Sequence, residues 1–413
     1  MFAQPKSAEK KINEVLPKVV EWRRHIHQYP ELSNREVKTA AYVEAHLRKL
    51  GYQVQTGVAK TGVVAVLNGG KPGPSIALRA DMDGLPVEER NDLEFRSKEK
   101  GEYMGNEVPV MHACGHDTHV AILMGVAEVL ASIQKDVPGT VKFIFQPAEE
   151  GPPPGEEGGA SLMVKEGVLK NPDVEAVFGL HINSTLESGS IAYKKGAAMA
   201  SSDWIEIEIE GKQAHGAYPW MSIDPVVTSA QIINAIQTVV SRNSDLTKAP
   251  VVVTIGRIEG GVRNNIIPEK VIMGGTIRTL DPAMHKQVHS DLTRIITKTA
   301  EANGAKASVK IVTMAPVTFN DHSLTERILP ALQKAAGQEH VYEKEWVTGA
   351  EDFSFFHQDI PGVYFFLGGR PSEINEKDAP AHHTPNFFVD DSKLDVGVKA
   401  FVNIVFEYAK TKK

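Results

Sequence analysis

The sequence predicts an α/β protein, a sheet covered by helices and interrupted by an inserted unit of the order β-α-β-β-α-β. Three observations carry this reading. Short continuous apolar runs, such as Val141 to Phe145 and Ala176 to Leu180, alternate with helical stretches, the pattern of strands buried on both faces. At about Ser201 the pattern changes, because Trp204-Ile205-Glu206-Ile207-Glu208-Ile209-Glu210 alternates strictly, as a half-exposed strand does. A chain of 413 residues also exceeds what one core of ordinary size organises, so two domains are expected.

Taken in order, Ile12, Val15, Leu16, Val19 and Trp22 recur at helical spacing, and a second helical run from Arg35 to Leu50 stops at Gly51. A proline-marked turn at Tyr29-Pro30-Glu31 lies between them. Val63 to Leu67 and Ser75 to Arg79 read as strands, followed by the loop Asp81-Met82-Asp83-Gly84-Leu85-Pro86. Thr118 to Ile133 and Gly159 to Gly167 read as helices around the strand Val141 to Phe145, with the strand Ala176 to Leu180 after them. In the inserted unit the alternating strand is followed by a helix (Asp224 to Val240) and two strands (Val251 to Ile258, Val271 to Ile277). A helix (Ala283 to Ala302) and a last strand (Ala307 to Thr313) complete it, in the ferredoxin-like order. Past Pro316 the first pattern resumes, with Leu324 to Ala336 helical and Val363 to Leu367 a strand. The parse is one α/β domain from residues 1-199 and 314-413, with 200-313 inserted.

Hydrophobic content of 42% and charged content of 23% are ordinary for a folded globular chain. A net charge of −7 supplies no basic field for a nucleic-acid partner. The pairs Lys10-Lys11 and Lys412-Lys413 read as solvated ends. No apolar stretch approaches the roughly 18–20 residues of a membrane span, so no membrane partner is expected. The N-terminus lacks a signal-peptide apolar core, yet Phe2-Ala3-Gln4-Pro5 also suits a mature chain from which an export signal has been removed. Cytoplasmic and exported locations both stay open.

The chemistry concentrates around the single cysteine. Met111-His112-Ala113-Cys114-Gly115-His116-Asp117 puts a thiol two residues before an imidazole in a glycine-containing turn. Glu149-Glu150 follows a buried strand, His181 ends another, and His382-His383 precedes Thr384-Pro385. Soft thiolate, imidazole and carboxylate gathered in this way point to a transition-metal site. Against that stand plainer readings: an inert core cysteine, interior histidines, and a solvated acidic loop. Asp81 and Asp83 could orient a ligand histidine, bind metal directly, or form an aspartate-rich turn. His215, in Gly211-Lys212-Gln213-Ala214-His215-Gly216, is a turn residue or a site residue. Asn265 and Arg278 read equally as a turn and a strand charge. No Gly-x-Ser-x-Gly elbow, Walker loop or dinucleotide fingerprint occurs.

These residues, in this order, resemble the amidohydrolase branch of the aminoacylase and carboxypeptidase-G-like metallopeptidases. That branch includes hippurate hydrolases, indole-3-acetyl-amino-acid hydrolases and N-acetyldiaminopimelate deacetylases. The likeness runs from Arg23-Arg24-x-x-His27-x-x-Pro30-Glu31 through Arg79-Ala80-Asp81-Met82-Asp83, Cys114-Gly115-His116-Asp117, Gln146-Pro147-Ala148-Glu149-Glu150 and Gly179-Leu180-His181. It continues in Gly211-x-x-x-His215-Gly216, Asn265-Ile266-Ile267-Pro268, Gly275-Thr276-x-Arg278, Gly349-Ala350-Glu351-Asp352-Phe353 and His383-Thr384-Pro385. Asn264-Asn265 and Ile266 depart from the more usual residues there.

The resemblance implies a zinc-peptidase-like catalytic domain with a mixed sheet, and an inserted lid that carries a dimer contact. It also implies two divalent ions (zinc, manganese, cobalt or nickel) held by Cys114, His116, Glu150, His181 and His383, with Glu149 as general base. His215, from its own or a partner subunit, with Asn265 and Arg278, would hold the substrate, and the protein would be a homodimer or larger homo-oligomer. The implied reaction is hydrolysis of N-acyl amino acids. The alternatives are a dipeptidase or carboxypeptidase with the same metals, or an inactive binding protein on the same fold. Phe353, Phe355, Phe356 and Trp220 could favour an aromatic acyl group or simply pack a core.

Overall fold

The computed structural model describes residues 4–410. Phe2, Ala3, Lys412 and Lys413 lie outside the described residues. The chain forms two compact units: the first runs to Gly196 and includes Phe319–Glu345 and the chain from Asp352 onward, and the second comprises Ala197–Thr318 and Trp346–Glu351.

The first unit is built on an eight-stranded mixed sheet. Its strand order is Gln53–Val58, Gly62–Asn68, Pro138–Gln146, Lys71–Asp81, Ala176–Glu187, Gly362–Arg370, Ile191–Tyr193 and Val341–Glu343. The four central strands, from Pro138–Gln146 to Gly362–Arg370, are parallel. Their registers set Asp81 opposite Gln146 and His181 opposite Phe366. Side chains near the C-terminal ends of parallel neighbours therefore gather along one sheet edge, where open α/β sheets hold ligands. His181 does not end its strand, as its local sequence suggests. Pairing continues through Ile182 with Leu367 and Asn183 with Gly368, so the imidazole sits mid-strand.

The helix His116–Ser132 is buried along almost its whole length, from His116 to Leu130. A helix apolar on every side needs cover on every side, and it packs on the helices Lys6–Gln28 and Asp395–Lys410 as well as on the sheet. That cover holds its N-terminal turn, and with it His116, in a rigid core.

In the second unit, a four-stranded antiparallel sheet has the order Val251–Gly260, Lys270–Thr279, Ser202–Glu210, Lys306–Ala315. Ile205, Ile207 and Ile209 point into the core while Trp204 and Glu206 face out, as the alternation requires. The helices Pro225–Thr238 and Pro282–Ala302 bury Ile232 and Ile236, and Val288, Leu292 and Ile296, in the same core. Each helix starts at an Asp-Pro pair. Asp224 and Asp281 accept from the backbone N–H groups of the first turn, and the proline fills the first helical position. No helix among the described residues is long and apolar enough to cross a membrane.

Candidate metal centre

The cysteine sits just before the helix His116–Ser132. Gly115, at φ 101°, is the N-cap that turns the chain into this helix, and a Cβ there would fall 2.2 Å from Ile182 Cγ2. Only glycine meets both the left-handed backbone and the close approach. Thr118 closes the turn through its N–H and hydroxyl to the Gly115 carbonyl. The thiol and the His116 imidazole are thus buried side by side.

Four distant residues converge on them. Cys114 Sγ lies 3.3 Å from His181 Nε2 and 3.3 Å from His383 Nε2. His383 Nε2 is also 3.2 Å from Glu150 Oε1. Glu149 Oε2 is 3.7 Å from His116 Nε2. The backbone aids this, since the His383 N–H donates to the Ala113 carbonyl and His383 has φ 63°.

The other ring nitrogens reveal which imidazoles have a lone pair to offer. His116 Nδ1 bonds the Asp83 carbonyl at 2.9 Å and its carboxylate at 3.2 Å, which leaves Nε2 buried without a hydrogen-bond partner. His181 Nδ1 is spent on the Ile182 carbonyl, so Nε2 faces the thiol. His119 and His382 have no nitrogen left. His119 bonds Asp81 through Nδ1 and accepts the Ile182 N–H at Nε2. His382 bonds the Cys114 carbonyl and the Ser184 N–H. Both rings are thus held in place beside Cys114 and His116 by their own hydrogen bonds.

Asp81 and Asp83, left open by their sequence, take different jobs. Asp81 pairs with Arg79 and His119. Asp83 accepts from Ser33 Oγ, from the Glu149 N–H at 3.1 Å and from the Glu150 N–H at 3.0 Å while holding His116, so one carboxylate sets both the imidazole and the Glu149-Glu150 turn. Arg79, Gln146 and Asp352 form a buried network beneath. The Asp352 N–H approaches Glu149 Oε1 at 3.4 Å. Glu36 is a residue the local sequence does not single out. Buried, it accepts the Ala148 N–H at 2.8 Å just before the two glutamates, and burial together with the nearby Asp83 charge pushes its carboxyl up to about 8. Its partner is 112 positions away, so no periodicity could reveal the role.

The electrostatics fit a bound cation. Burial works against a charge on His116, yet Asp81 and Asp83 push it up to about 10. Burial and the surrounding carboxylates raise the Cys114 thiol well above its ordinary value. His181 is held neutral by burial and by neighbouring imidazoles. A donor set that retains protons on a thiol and an imidazole for want of positive charge suits a divalent ion, which replaces those protons.

His215, Asn265 and Arg278 belong to the second unit. His215 is exposed, its short strand pairs with Ile266–Ile267, and the Gly216 N–H donates to the Asn265 carbonyl, which makes His215 and Asn265 neighbours. Arg278 is on the strand Lys270–Thr279 opposite Val252. Phe353 and Phe356 are fully buried core residues, whereas Trp220 is 75% exposed.

The model for peptidase family M20/M25/M40 matches residues 77–407. The chain is 42% identical over 402 residues to thermostable carboxypeptidase 1 of Saccharolobus solfataricus, which covers 96% of this chain and 97% of that protein. It is 38% identical over 372 residues to N-acetyl-L-cysteine deacetylase of Bacillus subtilis, covering 90% and 83% respectively. Among solved structures, the Bacillus subtilis YXEP protein, a dinuclear metal-binding peptidase from the M20 family, matches with a TM-score of 0.79 at 32% identity, over 97% of this chain and 100% of that one. The matched stretch opens in the strand that ends at Asp81 and takes in every donor gathered around Cys114, so likeness and geometry meet on the same residues, and the chain belongs to peptidase family M20/M25/M40, a family of hydrolases.

Proposed function

We propose that this protein is a dinuclear-metal amidohydrolase that cleaves N-acyl amino acids, N-acetyl or N-aroyl, into a carboxylic acid and a free amino acid. The observation that carries the reading is the convergence of thiol, imidazole and carboxylate donors beside a buried His116 Nε2 with no hydrogen-bond partner. In this reading Cys114, His116, Glu150, His181 and His383 hold two divalent ions, whose identity among zinc, manganese, cobalt and nickel follows availability. When bound, the pair supplies Lewis acidity toward the attacking water and the scissile carbonyl.

The chain's own groups do the rest. Glu149 takes a proton from the water and returns it to the departing nitrogen, which makes a poor leaving group a neutral amine. Asp83 keeps Glu149 and His116 in mutual register through the hydrogen bonds described above. A cleft of about 220 Å³ beside Glu150, lined by Leu32, Leu85, Tyr103 and Met104 with Arg35 at its side, is the acyl pocket in this reading. Its size suits a small acyl group. His215, Asn265 and Arg278 are the substrate-holding groups, with His215 donating to the oxyanion. His215→Ala lowers kcat about 10²–10³-fold, as loss of one oxyanion donor does, and leaves bound metal unchanged; metal content and kcat measured together check this.

Removal of metal by a chelator abolishes hydrolysis of N-acetyl amino acids and hippurate, and readdition of a divalent ion restores it. Full activity in protein shown by elemental analysis to be metal-free would refute the proposal. The second reading, a carboxypeptidase, is favoured by the 42% identity to a protein of that name. Dipeptides and N-blocked peptides assayed beside the N-acetyl amino acids separate the two, because the faster substrate class names the activity.

A further inference from the structure

The second unit contains another convergent set of donors, made only of its own residues. Asp203, on the strand Ser202–Glu210, has a fully buried side chain. His285 and His289 lie one turn apart on the helix Pro282–Ala302, spaced i and i+4, and so project from one face with ring centroids 4.2 Å apart. Val288 and Leu292 anchor that helix in the core, which holds the two imidazoles in place. His285 Nε2 is 2.9 Å from both Asp203 oxygens, and His289 Nε2 is 3.2 Å from Oδ1.

Hydrogen bonding accounts for this cluster incompletely. Oδ1 already takes the Thr313 hydroxyl at 2.7 Å, and buried His289 Nε2 makes no well-formed hydrogen bond. The carboxylate's ion-pair partners are imidazoles, not lysine or arginine. Tetrahedral zinc with N and O ligands near 2.0–2.1 Å keeps neighbouring donors about 3.3 Å apart. The observed 2.9 and 3.2 Å spacings need only tenths of an ångström of expansion to admit an ion. Ser201 Oγ, 3.2 Å from Oδ2, and Thr313 Oγ1 orient the carboxylate as outer-shell partners of a metal ligand do.

We propose that Asp203, His285 and His289 bind one divalent transition-metal ion, zinc being the best match to two imidazoles and a carboxylate, and that the ion pins the helix Pro282–Ala302 to the strand Ser202–Glu210. The site does not depend on the reading of the Cys114 cluster.

Protein stripped with a chelator is dialysed against micromolar zinc, and bound zinc is counted by plasma mass spectrometry for the unsubstituted chain, for His285→Gln/His289→Gln and for Asp203→Asn. Each variant is expected to bind one equivalent fewer, with kcat of the reloaded enzyme unchanged and the zinc-dependent rise in Tm reduced. The same one-equivalent difference persists when both proteins also carry Cys114→Ala and His181→Ala. His285 and His289 are partly exposed, so their glutamine variants carry the test even where Asp203→Asn folds poorly. Equal zinc counts with and without the two histidines overturn the proposal.

Discussion

Replacing Glu149 with glutamine lowers kcat by about 10²–10⁴-fold, the usual worth of a positioned general base, and leaves bound metal at its original level. The separation of these two effects follows from the local geometry. Asp83 holds the Glu149 and Glu150 backbone N–H groups and His116, so the donor cluster does not rely on the Glu149 side chain for its shape. Glutamine keeps the volume and an oxygen for the Asp352 N–H, but it cannot take a proton from water. Steady-state kinetics with an N-acetyl amino acid, together with elemental analysis, measures both effects. Near-normal turnover would remove Glu149 from its role, and loss of an equivalent of metal would make it a ligand instead.

Asp117→Ala costs about 3–5 kcal/mol of stability, because it removes the carboxylate that buried Arg23 and His27 share. Asp117 Oδ2 forms an ion pair with Arg23, 2.8 Å from its Nε, and accepts from His27 Nδ1 at 2.9 Å, and all three side chains are essentially without exposure. His27 also meets Glu89 at 3.1 Å. The aspartate lies in the first turn of a helix, where the macrodipole adds to its stabilisation.

The pH dependence has two limbs of opposite sign. Burial opposes ionisation of Asp117, but Arg23 and His27 depress its pKa, so its contribution is present above the unfolded value of about 3.9 and fades as pH falls through the lower folded value. For His27 burial opposes protonation, but Asp117 and Glu89 raise its pKa, so its contribution is complete below about 6.5 and is lost as pH rises through the raised folded value. The deficit of the variant is therefore greatest between about pH 4 and 6.5 and shrinks above that range. Urea unfolding across that range checks it, and a deficit that grows steadily toward alkaline pH would contradict the pairing.

The two long motifs containing Arg23 and His27, and His116 and Asp117, were legible in the sequence as separate patches; only the fold makes them one buried network. The adjacent histidines 382 and 383 make the same point. Nothing in their local sequence tells them apart, but His382 spends both nitrogens on backbone while His383, at positive φ, turns Nε2 toward Cys114 and Glu150. The last two strands of the sheet, Ile191–Tyr193 and Val341–Glu343, three residues each, are too short to show an alternation.

By itself the sequence determined the α/β class and offered thiol, imidazole and carboxylate side chains for a metal, since side-chain periodicity and turn chemistry depend on near neighbours along the chain. The tertiary structure alone decided which lone pairs remain for a cation and which aspartate orients which histidine. That choice depends on contacts between segments far apart in the chain: neighbouring parallel strands, roughly 4.8 Å apart, carry Asp81 and His181, and separate loops return Glu150 and His383 to Cys114.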